Sequence, residues 1–370
     1  MRRLATPERL RFVLVCTTPW NALTGLAAWR SLDPGRRSPI EVVVVPHPVT
    51  GQSVADDVLA EAVDLYDVGR ESVRRLPAFP VAGARDLTVA IARSLLPGRK
   101  VRTVWISPQE PKSYVIKELA AMATPAARSS GIVLSDDGLS FNKSLLSRSA
   151  HYWATGRRAL ALARPALQAA KGILLARTLV MDARLTPHMD RLDSRQEEVL
   201  RQLRHALRPA PGCEIVGDAW FLSQPFEQDS NIPRGQYYGY LERQLESWDR
   251  QGIDVRVKLH PREVAGRDGW IPASVSQKAL PPEVSGRPIE LLLRHKRPRA
   301  LIGISSTSLL TAAVVGDIPT YSVPPESLDR VEFRWHRAAI TDAMAMLKGL
   351  RLPPEQLPEV LAQSGTLGHR

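Results

Sequence analysis

The chain has 370 residues, 44% hydrophobic and 24% charged; this profile excludes a disordered or fibrous protein and leaves room for two separate cores. No run of about 18 uncharged apolar residues occurs, and the first apolar run, Phe12 to Cys16, is too short for a signal-peptide core, so neither a membrane span nor export is expected. Lysine and arginine number 50 against 38 acidic residues, and the formal charge of +12 suits a polyanionic partner or, equally, a solvated arginine-rich surface.

In chain order, Arg11 to Cys16, Ile40 to Pro46, Val101 to Ser107 and Ile132 to Ser135 are short Val- and Ile-rich runs that read as strands. Helix-length stretches lie between them at Asn21 to Ser31, Asp86 to Leu95 and Lys112 to Met122. Apolar strands alternating with helices predict a parallel sheet covered on both faces. From about Ser144 to Leu207, Ala, Leu and Arg dominate, strand signals vanish and the region reads as helical. It ends in Arg208, Pro209, Ala210, Pro211 and Gly212, a helix-stop and linker composition.

Alternation then resumes. Cys213 to Val216, Val255 to Leu259, Ala300 to Ile304 and Ile318 to Ser322 read as strands; Tyr237 to Gln251, Ile289 to Arg294 and Thr307 to Val315 read as helices. The expected organisation is an N-terminal Rossmann-like domain over 1–208 with a helical insert over about 150–207, and a second over 213–335. A C-terminal helix and tail over 336–370 is expected to pack back on the first domain. Two such halves leave a cleft facing the carboxyl ends of their strands. Cys16 and Cys213 each sit in a short strand-like segment, which argues against a disulfide and for a reducing cytoplasm.

Three runs deliver polar groups from a strand end. Ile132 to Ser135 leads into Asp136, Asp137 and Gly138; successive carboxylates point apart on extended backbone, so one can face a substrate as general base while its neighbour is held locally. An ordinary Asp-Asp-Gly turn accounts for the motif equally well. Val255 to Leu259 leads into His260 and Pro261, and the proline holds the histidine in an extended conformation that gives the imidazole a defined direction. The same dipeptide at His47 shows that a surface turn also produces it. Gly303 and Ile304 lead into Ser305, Ser306, Thr307 and Ser308, where hydroxyls, free amides and a helix dipole make an anion site or a plain helix cap.

The order and separation of these runs resemble the bacterial sialyltransferases and polysialyltransferases of the GT-B fold. That family carries an acidic pair followed by glycine in the first domain, then His-Pro and Ser-Ser motifs in the second; here these are Asp136, Asp137 and Gly138, His260 and Pro261, and Ser305 and Ser306. Softer similarities are Thr18, Pro19 and Asn21 after the first strand, with Asn21 where relatives carry Gln, Gln224 soon after the linker, and Glu290 where relatives set a glutamate against the nucleotide sugar.

The resemblance implies two Rossmann-like domains facing a central cleft, and inverting, metal-independent transfer of sialic acid from a CMP-activated donor to a glycan or glycolipid hydroxyl. Asp136 or Asp137 would be the base, and His260, Ser305 and Ser306 would stabilise the departing phosphate, with Gly138, Pro261, Glu290 and Thr307 around the donor. It further implies bacterial capsule or cell-surface glycan synthesis, with an acceptor that is itself often anionic. No cofactor and no metal is expected; the sequence offers no His/Cys cluster at zinc spacing, no Gly-rich dinucleotide fingerprint and no phosphate loop.

Transfer of Kdo or Kdn would share the CMP leaving group, and CDP-glycerol or CDP-ribitol phosphotransferases also use His-Pro and Ser-Ser elements. Tyr152 to Met181, apolar but carrying Arg157, Arg158, Arg164, Lys171 and Arg177, reads either as a peripheral contact with an anionic membrane at the inner face or as a core-packing helix with a solvated basic face. The basic cluster Arg294, His295, Lys296, Arg297 and Arg299 raises a nucleic-acid-binding alternative, but aromatics are only 6% and form no stacking platform, so no nucleic acid partner is expected.

Overall fold

The computed structural model describes residues 10–35, 38–45, 54–75, 103–108, 131–135, 179–185, 191–227, 235–265, 271–324 and 347–367. Among these, the chain divides into two compact units between Ala206 and Leu207. Both are α/β with parallel sheets, the Rossmann-like class read from the sequence.

The first unit holds strands β1 (Arg11–Cys16), β2 (Ile40–Val44), β3 (Val73–Arg75), β4 (Thr103–Pro108), β5 (Gly131–Ser135) and β6 (Leu179–Asp182). They form one sheet in the order β3-β2-β1-β4-β5-β6, every pair parallel. The order reverses direction between β1 and β4, as in doubly wound dinucleotide folds. Residues 12–16 of β1 are buried, because a central strand covered on both faces must be apolar throughout. Helix α1 (Pro19–Leu32) starts at a proline and is capped by Thr18, whose hydroxyl oxygen accepts from the amide of Asn21 at 3.2 Å. Helix α2 (Asp56–Asp64) and helix α3 (Ser194–Ala206) pack against α1.

Two of these strands depart from the sequence reading. β6 lies inside the stretch read as wholly helical, because the four residues Leu179 to Asp182 are too few to show a period among flanking Ala, Leu and Arg. β3 contains two arginines and escapes a search for apolar runs, which an edge strand need not satisfy. The helices expected over 86–95 and 112–122, and the insert over 150–178, lie outside the described residues.

The second unit contains β7 (Glu214–Ile215), β8 (Ala219–Leu222), β9 (Val255–Lys258), β10 (Lys296–Arg297), β11 (Ala300–Gly303) and β12 (Thr320–Ser322). Its main sheet runs β12-β11-β8-β9, all parallel. The segment 213–216 proves to be only a surface ribbon, β7 pairing with β10, and Ile215 is 68% exposed. One of the sheet's two inner strands is β8, whose Ala-Trp-Phe-Leu is too short to show a period and has no β-branched run, and it was not foreseen. Helices follow as α4 (Gln236–Arg250), α5 (Pro261–Ala265), α6 (Ala273–Lys278), α7 (Pro282–Ser285), α8 (Ile289–Leu292), α9 (Thr307–Val315) and α10 (Leu357–Leu367). The core under α4 joins Tyr237, Tyr240, Leu241, Leu245 and Trp248 to Phe221, Val257 and Ile302 of the sheet.

In the C-terminal segment, Leu352, Leu357 and Leu361 join this second core, and Trp248 Nε1 donates to the Pro354 carbonyl at 3.2 Å. Leu357 and Leu361 lie four apart on α10, which gives that helix the apolar stripe needed to dock.

Gly25 is fixed by packing: a Cβ there would stand 2.3 Å from Cδ1 of Leu14, which is fully buried. Gly25→Ala should therefore destabilise the fold by about 1–3 kcal/mol despite alanine's better helix propensity. Urea unfolding checks this, and a variant as stable as the wild type would contradict the packing.

Candidate functional site

The register of the second sheet brings the predicted motifs of this unit to one edge. Gly303 pairs with Leu222, and Leu222 with Lys258, so β11, β8 and β9 end level with one another. Counting two residues on from each, Ser305, Gln224 and His260 leave three adjacent strands at the same height. β9 lies on one side of β8 and β11 on the other, so the strand order reverses here; the crevice outside the carboxyl ends at such a reversal is where doubly wound sheets bind ligands.

Ser305 and Gln224 are in contact. The amide and hydroxyl of Ser305 both donate to Gln224 Oε1, at 3.1 and 3.2 Å. The turn behind them is held by Ser322 Oγ, which donates to the Ile304 carbonyl at 2.6 Å. Ser306 caps α9, accepting from the Ser308 amide at 3.3 Å, and Thr307 opens the helix. With no acidic residue in its first turn, α9 presents an uncompensated positive dipole end.

His260 is not on a loose turn. Its N–H donates to Oε2 of Glu263 at 2.7 Å, and its carbonyl accepts from the amides of Glu263 and Val264 at 2.9 and 3.1 Å. This is a capping box, with Pro261 as the first residue of α5. The other oxygen of Glu263 accepts from Ser223 Oγ at 2.8 Å and from Tyr238 Oη at 2.7 Å. Because that oxygen takes the Ser223 proton, Ser223 Oγ accepts in turn from Tyr237 Oη at 2.9 Å, and Tyr237 Oη accepts from the Gln224 amide at 3.1 Å. Burial, reinforced by the Glu263 charge, pushes both tyrosine hydroxyls well above their ordinary value, so they serve as neutral donors. A second carboxylate, Glu227, accepts from the amides of Gly235, Tyr237 and Tyr238 at 2.8, 2.9 and 3.1 Å. It caps α4, where Gly235 at φ +80° has no side chain to do so.

Glu290 accepts from Thr311 Oγ1 at 2.8 Å, one turn along α9 from Thr307, beside a small cavity lined by Leu207, Pro209, Leu293 and Arg297. Burial raises its carboxyl, against the pull of Thr311 and Lys258. Lys258, last residue of β9, is buried and donates to the Ser285 carbonyl at 2.9 Å. Burial pushes its ammonium down to about 8, opposed by Glu290 and Glu263.

In the first unit, Asn21 is fully buried and its Oδ1 accepts from Thr17 Oγ1 at 2.9 Å, so it braces the turn from β1 into α1, which Thr18 caps and Pro19 begins. Asp136, Asp137 and Gly138 lie outside the described residues; their strand ends at Ser135, which is fully buried. Among the described residues no three His, Cys, Asp or Glu side chains converge as metal ligands, and no helix is long and apolar enough to cross a membrane.

Residues 197–323 match the family model described as Alpha-2,8-polysialyltransferase (POLYST), a family of glycosyltransferases, and the matched segment contains Gln224, His260, Glu290, Ser305 and Ser306. This part of the chain is polysialyltransferase-like. The matched segment includes β8, β9 and β11, the strands that lead into Gln224, His260 and Ser305. No curated protein sequence matches the chain. Among solved structures, the GT-B domain of a sialyltransferase from Photobacterium damselae is 14% identical, with 93% of this chain and 98% of that one covered at a TM-score of 0.44. A 2,6-sialyltransferase of Photobacterium sp. JT-ISH-224, in complex with CMP and lactose, is 12% identical over 94% and 78%, TM-score 0.42. A protein assigned as a UDP-N-acetylglucosamine 2-epimerase from Listeria monocytogenes is 10% identical over 92% and 88%, TM-score 0.43. An epimerase and two transferases stand equally near at that distance, so none of them lends its chemistry to this chain.

The sequence reading missed Glu263, Tyr237, Tyr238 and Lys258. Only Glu263 had a local signal: His-Pro-x-Glu has the spacing of a capping box. The others are joined by contacts across the fold.

Lys258 also makes stability depend on pH. Its folded value of about 8 lies below the ordinary 10.5, so the unfolded chain binds the proton more tightly and the buried charge costs stability below about pH 8. That cost disappears as pH rises toward 10.5. Between about pH 7 and 10 the wild type should gain roughly 1–3 kcal/mol relative to Lys258→Met. Parallel urea-unfolding curves of stability against pH for the two proteins would refute it.

Proposed function

We propose that the protein is an inverting, metal-independent glycosyltransferase that moves sialic acid, or a related nonulosonic acid, from a CMP-activated donor to a hydroxyl of a glycan acceptor. The observation that carries this reading is the level edge of Ser305, Gln224 and His260 at the strand reversal of a polysialyltransferase-like segment.

A departing CMP gathers negative charge on its phosphate, and catalysis requires donors already aimed at that charge. The N-terminus of α9, with the amide and hydroxyl of Ser305 and the hydroxyl of Ser306, supplies them. His260 donates a proton or a hydrogen bond to the same phosphate. On the acceptor side Asp136 or Asp137 removes the hydroxyl proton as the new glycosidic bond forms from the opposite face of the sugar, so configuration inverts. Gln224 Oε1 sits where a phosphate oxygen would receive the two Ser305 donors, which marks the spot as an acceptor-shaped position. The reading extends to a cytoplasmic enzyme, a lipid-linked or anionic glycan as acceptor, and contact of 152–181 with the inner membrane face.

Incubation with CMP-Neu5Ac in EDTA should release CMP and form product, with CMP-Kdo, CDP-glycerol and UDP-sugars in parallel. His260→Ala should lower kcat by roughly 10²-fold or more. Turnover of CDP-glycerol alone would transfer the protein to polyol-phosphate chemistry, and turnover of CMP-Neu5Ac that stops in EDTA would end the metal-independent mechanism.

A further inference from the structure

Glu263 has no solvent exposure, and its two oxygens accept hydrogen bonds from His260, Ser223 and Tyr238, all within 2.8 Å. A capping glutamate does not need this burial. Surface carboxylates cap helices at no desolvation cost, whereas removing an ionised carboxylate from water costs several kcal/mol unless its partners compensate. Short, charge-assisted bonds to three elements supply that compensation: the loop after β9, the loop after β8, and the first turn of α4. The network continues from Ser223 through Tyr237 to the Gln224 amide, and from Gln224 Oε1 to Ser305. One buried carboxylate therefore stands behind all three residues of the level edge, touching the backbone of His260 directly and reaching Ser305 through Gln224.

The geometry points to Glu263 as the positioning residue of the transfer site: it fixes the backbone of His260 and, through Ser223 and Tyr237, the backbone of Gln224, whose side chain holds Ser305 until a phosphate takes its place. It touches neither substrate nor phosphate. Glutamine is not equivalent, because a carboxamide has one acceptor oxygen: its NH2 end would meet the His260 N–H donor to donor or, turned round, would donate to the Ser223 and Tyr238 hydroxyls and leave buried hydroxyl protons without an acceptor. The inference rests on the transfer reading for its kinetic consequence and on the hydrogen bonds alone for its structural one.

Two measurements on the full chain separate these. In kinetics with CMP-Neu5Ac, Glu263→Gln should lower kcat at least tenfold while the donor KM moves less than about threefold, since a loss made in the transition state lowers kcat and leaves ground-state binding. Tyr238→Phe, which removes one bond and keeps the ring in its core position, should lower kcat about three- to tenfold in the same pattern. In hydrogen exchange, the His260 amide should exchange at least tenfold faster in Glu263→Leu, which keeps the volume and has no acceptor, while the amides of Val255 and Val257 in β9 keep their protection. If the wild type turns over no nucleotide donor, the transfer reading falls and the exchange arm alone judges Glu263. Unchanged His260 exchange, kcat within twofold of wild type in both variants, or protection lost across all of β9, which would mark a generally loosened fold, each overturns the proposal.

Discussion

Three parallel strands that stop at the same height are the constraint on which the second unit's site depends. Parallel pairing leaves no freedom once the register is set: with Gly303, Leu222 and Lys258 abreast, the residues two steps on emerge side by side whatever their chemistry. The sequence separations between Gln224, His260 and Ser305 are then immaterial, because the crossover helices absorb them. Polar residues at strand ends are common. Polar residues at the ends of adjacent strands flanking a reversal are a site.

What lies behind that edge is unusually charged for the interior of a sheet protein. Glu263 is held by Ser223, Tyr238 and the His260 N–H, and Lys258 feels both Glu263 and Glu290; burial disfavours the ionisation of Lys258 and Glu290, each partly relieved by the other. Isolated charges in such a place would simply neutralise. Their persistence depends on hydrogen bonds from Ser223, Tyr238, Thr311 and the His260 backbone to the carboxylates, and on the Ser285 carbonyl for the lysine. This arrangement resists local repacking, since moving one member strands another without a partner.

The fold class was legible because its signals are local. Valine-bearing β1 and β9, the Ser306 cap and the full extent of α9 could all be read by period and punctuation. β8 could not, since its aromatic and Ala residues carry no β-branched signature and its strand character comes from being flanked by β11 and β9. β6 is four residues long and finds its place only because β5 offers an edge. The same division holds at the site. His260, Ser305 and Ser306 declare themselves by position after apolar runs, whereas Tyr237 and Tyr238 lie on a helix face that looks like ordinary core until the Glu263 carboxylate is found beneath it. Chemistry at strand ends is written in short strings; the scaffold that aims it is written in pairs of residues 13 to 81 positions apart.

The C-terminal segment sets a boundary of a different kind. The family likeness stops at residue 323, yet Tyr240 Oη donates to the Val323 carbonyl at 2.7 Å and the core it belongs to is completed by Leu352, Leu357 and Leu361. The stretch that carries the family's signature is therefore shorter than the stretch that folds. Cutting the chain at the end of the likeness would leave Trp248 without its Pro354 partner and open an aromatic-lined face to water, so the segment that carries the likeness and the physical domain are not the same object.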